Sequence, residues 1–140
     1  MNKPVFVYET YIDTTAKKLW EALTSPEFTE QYWGGRRIQS NWEKGSTVKH
    51  IRPDGGFDWQ GEVLEVDPPK LLSYTWETDE NESIKVTFEL EPYGSVMRLR
   101  VTHHFRTEII PNIKGGWIAI ISSLKSLLET DTALDYPWKG

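Results

Sequence analysis

With 140 residues, the chain suits a single domain over residues 1–140 that can fold without covalent staples. The absence of cysteine excludes disulfides, thiolate catalysis and cysteine metal sites, and it is typical of a cytoplasmic protein. The net charge of −5 argues against a nucleic-acid partner, which selects basic surfaces, and no uncharged apolar run is long enough for membrane insertion.

The N-terminal part of the chain predicts one strand and two short helices. Val5–Ile12 alternates, and because both of its sides are mostly apolar we expect this strand to be covered on both faces. Residue types that cap helices precede an amphipathic helix over Ala16–Thr24. A second helix begins with Ser25 as its cap and Pro26 at its first position, and it ends near Tyr32.

Six further strand candidates follow, separated by turn signals. Their expected ranges are Arg36–Ser40, Thr47–Arg52, Asp58–Val66, Leu71–Glu77, Ile84–Glu91 and Val96–Phe105. The last two strands alternate most regularly between apolar and polar residues, which is typical of a sheet with one solvent face. The short connections favour antiparallel neighbours.

The last long segment, Pro111–Thr130, has the apolar spacing of an amphipathic helix. Its predicted buried stripe consists of Ile113, Trp117, Ile120, Ile121, Leu124, Leu127 and Leu128. The order of elements predicts an α+β fold, in which a curved antiparallel sheet of about six to seven strands wraps around this helix. The tail, residues 131–140, has no periodicity and is expected to be loose.

Four segments carry a resemblance to a known family, in the family's order and spacing. They are Ala16–Trp33 (AKKLWEALTSPEFTEQYW), Gly61–Glu77 (GEVLEVDPPKLLSYTWE), Leu99–Phe105 (LRVTHHF) and Gly115–Glu129 (GGWIAIISSLKSLLE). The chain resembles the bacterial, single-domain members of the activator of heat-shock protein 90 ATPase homologue-like family. That family lies within the START-related helix-grip superfamily, also called SRPBCC. The resemblance implies the helix-grip fold.

The superfamily includes lipid carriers, hormone receptors and cyclases, so the resemblance implies no single activity. In the eukaryotic activator, the similar module follows a separate chaperone-binding domain. This chain begins directly at the first strand, and we therefore expect no appreciable stimulation of a heat-shock protein 90 ATPase. A chaperone partner is accordingly a weak alternative.

The most informative polar residue is His103. It shares a strand face with Leu99, Val101 and Phe105 and should point towards the helix. It can serve a ligand as a hydrogen-bond partner or as an acid/base, or it can be a buried imidazole satisfied by a neighbouring group. His104 points to the opposite face and His50 is distant in sequence, so no metal site or cofactor is expected.

Aromatic residues are concentrated in the segments expected to wall a cavity between sheet and helix. They form either a pocket for a flat ligand or an ordinary aromatic core. Gly115-Gly116 is either a hinge at the cavity mouth or a point of close packing. The predicted ligand-binding residues are His103, Trp117, Trp76, Tyr74, Trp59, Trp33, Phe105 and Ile121.

Three functions remain open. The favoured one is a small cytoplasmic protein, a monomer or weak dimer, that binds an apolar or aromatic small molecule. The second is a cyclase- or hydrolase-like enzyme that uses His103 with a tyrosine such as Tyr74. The third is a chaperone co-factor or other protein-interaction module. The chain has no recognisable nucleophile motif, metal set or phosphate loop, which favours binding over catalysis.

Overall fold

The computed structural model describes residues 5–76, 83–105 and 111–134. The elements follow the predicted order, and their ends lie within two residues of the predicted ones. In chain order they are β1 (Val5–Ile12), α1 (Ala16–Thr24), α2 (Pro26–Tyr32), β2 (Arg37–Gln39), β3 (Thr47–Ile51), β4 (Phe57–Asp67), β5 (Leu71–Thr75), β6 (Ser83–Tyr93), β7 (Val96–Phe105) and α3 (Pro111–Thr130).

The seven strands form one sheet in the order β1-β7-β6-β5-β4-β3-β2. Every neighbouring pair is antiparallel, and the strands follow the chain except for β1, which lies beside β7. The predicted α+β architecture is therefore confirmed: a curled antiparallel sheet holds a long C-terminal helix. The two free edges of the sheet belong to β1 and β2.

Local sequence explains where the two short helices begin. The Thr15 hydroxyl oxygen accepts a hydrogen bond from the Lys18 N–H at 3.2 Å, which caps α1. Pro26 occupies the first turn of α2, where its missing N–H has no helical partner to lose. The Ser25 N–H donates to the Glu21 carbonyl at 2.8 Å, so one residue ends α1 and begins α2.

The core lies between the concave face of the sheet and α3. On β7, buried and half-buried residues alternate without a break, and the buried set includes Leu99, Val101 and His103. The buried residues of α3 are Trp117, Ala119, Ile120, Ile121, Ser123, Leu124 and Leu127. The side chains of Ile84 and Ile113, and the tail beyond Leu134, lie outside the described residues.

The prediction that β1 is covered on both faces is wrong. Val5, Val7 and Tyr11 are 41%, 49% and 45% exposed, whereas Ile12 at the end of the strand is fully buried. The helix covers the concave face of the sheet, and the described residues place no second layer on the convex face. Apolar composition alone could not separate this edge strand from a doubly covered one.

Two glycines, one in β4 and one in α3, give a first test of the packing. A Cβ on Gly61 in β4 would overlap the Thr75 carbonyl oxygen on β5, whereas a Cβ on Gly116 in α3 would meet nothing within 4 Å. We expect Gly61→Ala to lower the free energy of unfolding by about 1–3 kcal/mol through overpacking. We expect the matched change Gly116→Ala to raise it by about 0.5–1 kcal/mol, because alanine is the better helix former. Urea unfolding checks both signs, and equal midpoints for the two variants would contradict this packing.

Candidate functional site

Trp117 is the centre of an aromatic cluster between the sheet and the first half of α3. Its side chain is 1% exposed. The ring centroids of Trp33, Trp76 and Phe88 lie 5.3, 5.6 and 5.8 Å from that of Trp117. Trp33 follows α2, Trp76 follows β5 and Phe88 lies on β6, so four separate parts of the fold meet here. We call this group, together with His50, His103 and Phe105, the Trp117 cluster.

His103 reaches the cluster from β7 because strand alternation turns it inward and turns His104 outward. Its ring centroid lies 4.5 Å from that of Trp76 and 4.4 Å from that of Phe105, with the Phe105 ring stacked on it. The Trp117 indole Nε1–H donates a hydrogen bond to His103 Nδ1 at 2.8 Å. The predicted inward orientation of His103 thus agrees with the structure.

The bond from Trp117 determines the protonation of His103. An indole nitrogen only donates, so Nδ1 of the imidazole must accept, and the neutral ring then carries its proton on Nε2. That Nε2 atom is buried, and no described residue accepts its hydrogen bond. Trp117 therefore satisfies one half of the imidazole, and the other half is a buried donor for which the described residues offer no partner.

The electrostatics of the cluster keep this imidazole neutral. Burial, with a smaller contribution from the neighbouring His104, lowers the pKa of His103 from 6.5 to about 3. In the part of the chain that the structure describes, the fully buried polar residues are all uncharged types: Thr29, His50, Ser73, His103 and Ser123. A cation inside this site would find no countercharge among them, and the charge of Arg36, which acts on His50, is also positive.

His50 is a member of the cluster that the sequence did not indicate. It lies on β3, is 1% exposed, and its ring centroid lies 5.1 Å from that of Trp33 and 5.9 Å from that of Trp76. Burial lowers the pKa of His50 well below 6.5, with a smaller contribution from the positive charge of Arg36. The alternation of β3, in which Val48 and His50 are buried and Lys49 is exposed, was the available signal.

The remaining predicted site residues are Tyr74, Ile121 and Trp59. Tyr74 is buried beside the cluster, and its ring centroid lies 6.1 Å from that of Phe88 and 6.5 Å from that of His50. Burial raises the pKa of its phenol. Ile121 is buried on the next turn of α3 in the same core. Trp59 lies on β4 opposite His50, but its side chain is outside the described residues.

Gly116 precedes Trp117 in α3 and so adjoins the cluster. Open space surrounds the Cβ position of Gly116, so close packing on the sheet does not account for this glycine. Two surface grooves lie elsewhere. One, of about 620 Å³, is lined by residues of β2 and β3 such as Gln39 and Lys49, and the other, of about 380 Å³, lies on the convex face around Arg98.

The described residues contain neither a metal-binding cluster nor a membrane-spanning helix. Across 5–76, 83–105 and 111–134, no three His, Asp or Glu side chains come close enough to hold a metal ion. Within the same ranges, no helix combines the length and the apolar character needed to cross a bilayer.

Comparison with known proteins gives a family match and several solved structures. Residues 13–129 match the family model described as Activator of Hsp90 ATPase homolog 1-like protein. No curated protein matches the chain. A solution structure of the Aha1 dimer from Colwellia psychrerythraea has a TM-score of 0.77 at 23% identity, covering 91% of this chain and 97% of that chain.

Two further solved structures extend this comparison. Protein MLL2253 from Mesorhizobium loti has a TM-score of 0.73 at 29% identity, covering 89% of this chain and 96% of that one. DynU16, a protein of the dynemicin biosynthetic locus, has a TM-score of 0.81 at 21% identity, covering 96% of this chain and 51% of its own. The similarity to DynU16 and to the Colwellia protein is a similarity of fold.

Proposed function

The chain belongs to the activator of Hsp90 ATPase homologue 1-like family, and from this premise we propose that it binds an apolar or aromatic small molecule between its sheet and α3. The binding site is the Trp117 cluster. Its walls are the predicted residues Trp33, Trp76, Trp117, Phe105 and Ile121, with Tyr74 beside them, and Trp59 remains a predicted wall residue. A site with apolar aromatic walls and few orienting polar groups is the usual composition of a small-molecule pocket.

The observation that carries the proposal is the His103 Nε2–H. A buried donor without a partner costs about 1–3 kcal/mol, so native proteins rarely keep one without a reason. An acceptor atom on a bound molecule would remove this cost. His103 Nδ1 is already held by Trp117, which orients the ring so that Nε2 is the atom available to a ligand.

The same surroundings favour an uncharged ligand. Burying an ionised group without a countercharge is far more costly than burying a neutral one. The buried polar residues of the described chain are uncharged at neutral pH, His50 and His103 included. A neutral aromatic molecule with one acceptor, such as an aryl ketone, combines the features that the cluster can satisfy.

Binding is better supported than proton transfer by His103. A general acid or base works best when its pKa lies near the operating pH. The His103 pKa of about 3 keeps the imidazole neutral at neutral pH, so it donates a hydrogen bond without exchanging its proton readily. Tyr74 is the other candidate for catalysis. The pKa of its phenol is raised, and the Phe88 ring contacts both its ring and that of Trp117.

Access to the cluster is proposed at Gly116. The open space beside this residue adjoins Trp117, and a glycine in the helix lowers the cost of a local opening. We further propose that the protein is cytoplasmic, as its cysteine-free composition indicates, and that it self-associates weakly. The dimer solved for the Colwellia protein supports the last point. The biosynthetic locus of DynU16 supports a small-molecule ligand.

A pair of probes tests the binding site. We expect 2-acetonaphthone to bind with a dissociation constant on the order of micromolar, and 2-ethylnaphthalene, which has the same size but no acceptor, to bind more weakly. His103→Asn keeps an acceptor near the position of Nδ1 for Trp117 but lacks a donor at the position of Nε2. This variant should bind the ketone more weakly by about 1–3 kcal/mol, and its affinity for the hydrocarbon should be nearly unchanged.

The matched control is His103→Gln, whose amide can place a donor near the position of Nε2. It should retain more of the ketone affinity than His103→Asn does. Amide chemical-shift titrations with both probes measure all three proteins. An equal loss of affinity for the ketone and for the hydrocarbon would show that His103 acts only through packing. The absence of saturable shifts for either probe would contradict the proposed function.

A further inference from the structure

The outward N–H and C=O groups along the edge of β1 fall into two sets: those at the end of the strand bond to α3, and, within the described chain, those before it do not. The Tyr11 carbonyl accepts a hydrogen bond from Lys125 Nζ at 2.6 Å, and the Asp13 N–H donates to Glu129 Oε2 at 2.8 Å. Both partners lie on α3, off the edge of the sheet. Because strand residues alternate in direction, the N–H and C=O groups of Val5, Val7 and Glu9 point the same way.

The β6–β7 hairpin gives the same result independently. Its two-residue turn closes on the pair Tyr93 and Val96, so even-numbered residues of β7 bond to β6 and odd-numbered ones to β1. Those odd-numbered residues pair with even-numbered residues of β1, as Met97 does with Ile12. The N–H and C=O groups of the odd-numbered residues of β1 therefore point away from β7, towards an outside partner.

Among the described residues, α3 covers the C-terminal end of this edge and leaves the rest open. No described residue hydrogen-bonds to the outward backbone groups of Val5, Val7 and Glu9, which we call the open edge. The usual protections of an edge strand are missing there, since Val5–Ile12 has no proline, no lysine and no bulge in its pairing. Its one charged side chain, Glu9, forms an ion pair with Arg100.

We propose that the open edge pairs with the open edge of a second copy of this chain, so that two sheets join across a two-fold axis at Val7. The inference rests on the proposed weak self-association and is independent of the ligand site. A strand edge is complementary to itself in the antiparallel orientation, as an isologous interface requires. The exposed side chains of Val5 and Val7 would be covered by their counterparts on the partner.

The contacts of Lys125 and Glu129 on α3 with the end of β1 exclude a register that is shifted towards that end. Pairing Val7 with Val7 of the partner subunit places Val5 opposite the partner's Glu9, and all six outward residues then hydrogen-bond in pairs. A shift by one pair would place Val5 opposite the partner's Tyr11, whose carbonyl already accepts from Lys125. The register centred on Val7 also keeps the two Glu9 carboxylates apart, and each already has its Arg100.

Single cysteines test this register, because the native chain has none. In the proposed pair, the two Cα atoms at position 7 lie about 5.5 Å apart, which suits a disulfide. The two Cα atoms at position 5 lie roughly 14 Å apart at ~3.4 Å per residue, which is too far. Under mild oxidation we expect Val7→Cys to form a covalent dimer at least tenfold faster than Val5→Cys.

Sedimentation equilibrium at protein concentrations on the order of 0.5 mM tests the pairing without a cross-link. Wild type should approach twice the monomer mass of 16.3 kDa. Val7→Pro removes an outward N–H that has no role in the β1–β7 ladder and should lower the association constant at least tenfold. Val7→Thr keeps that N–H and should leave the constant within about threefold of wild type.

The outcomes separate the two proposals. A wild-type dimer in which Val7→Cys reacts no faster than Val5→Cys would show another interface and overturn this inference alone. A wild type that stays monomeric would overturn self-association as well. A monomer whose Val7 and Glu9 amides resist hydrogen exchange would show that another segment of this chain covers the edge, which also overturns the pairing.

Discussion

Leu124→Asp should lower the free energy of unfolding by about 4 kcal/mol or more, and the variant should be largely unfolded if the parent has ordinary stability. Leu124 lies on the inner face of α3, is fully buried and belongs to the main core cluster. The substitution removes the packing of a leucine and places a carboxylate where no buried cation is described.

Ile118→Asp is the matched control, because it introduces the same group on the same helix at a residue that is 42% exposed. It should change the free energy of unfolding by less than about 1 kcal/mol. Urea unfolding followed by circular dichroism measures both variants. If Leu124→Asp unfolds at the same urea concentration as Ile118→Asp, α3 does not pack on the sheet as described.

Acidification should destabilise the protein through its two buried imidazoles. The pKa of His103 falls from 6.5 to about 3 on folding, and that of His50 falls well below 6.5, in both cases chiefly because of burial. Below pH 6.5 the unfolded chain binds a proton at each of these residues and the folded chain does not. Stability is therefore full above about pH 6.5 and is lost as the pH falls through the window down to about 3 for His103.

The expected size follows from this linkage. Between about pH 7 and about pH 5, the titration of His103 should lower the free energy of unfolding by about 2 kcal/mol, and His50 should lower it further in the same direction. The double variant His50→Gln with His103→Asn has no titrating group at either position and should lose less stability over the same range. Carboxylates and the half-buried His104 titrate in both proteins, so their contributions cancel in the comparison.

Urea unfolding at a series of pH values gives the difference between the two proteins. A difference that grows steadily as the pH falls from about 7 to about 5 supports two neutral, buried imidazoles. Parallel stability curves for wild type and double variant would contradict their burial. A steeper loss in the double variant would show that the imidazoles are already protonated and paired in the folded state.

The fold could be predicted because its signals are local. The caps and apolar spacing around Ala16–Thr24 predicted both ends of α1, and the alternation in β7 predicted which side is buried. The coverage of β1 could not be predicted, because it depends on whether a second layer lies on the convex face. Val5 and Val7 are apolar yet exposed, and nothing within the strand itself distinguishes that state from burial.

The candidate site was only partly predictable for a related reason. Alternation turned His103 inward, but its partner is Trp117, which lies across the β7–α3 connection and is brought close only by the packing of the helix. His50 joins the same cluster through the pairing of β3 with β4, a long-range relationship that its sequence neighbours do not reveal. Which nitrogen of His103 is available to a ligand follows from the Trp117 bond alone.

The most direct test of the proposed function is the nitrogen-15 NMR signal of His103 Nε2–H in histidine-labelled protein. Before ligand is added, we expect a neutral imidazole with its proton on Nε2, unchanged down to about pH 5 because the pKa of His103 is about 3. Addition of 2-acetonaphthone should move the Nε2–H proton downfield as it donates to the ketone, and 2-ethylnaphthalene should not. Saturable binding of the ketone with no change in this signal would place the ligand elsewhere and contradict the Trp117 cluster as the binding site.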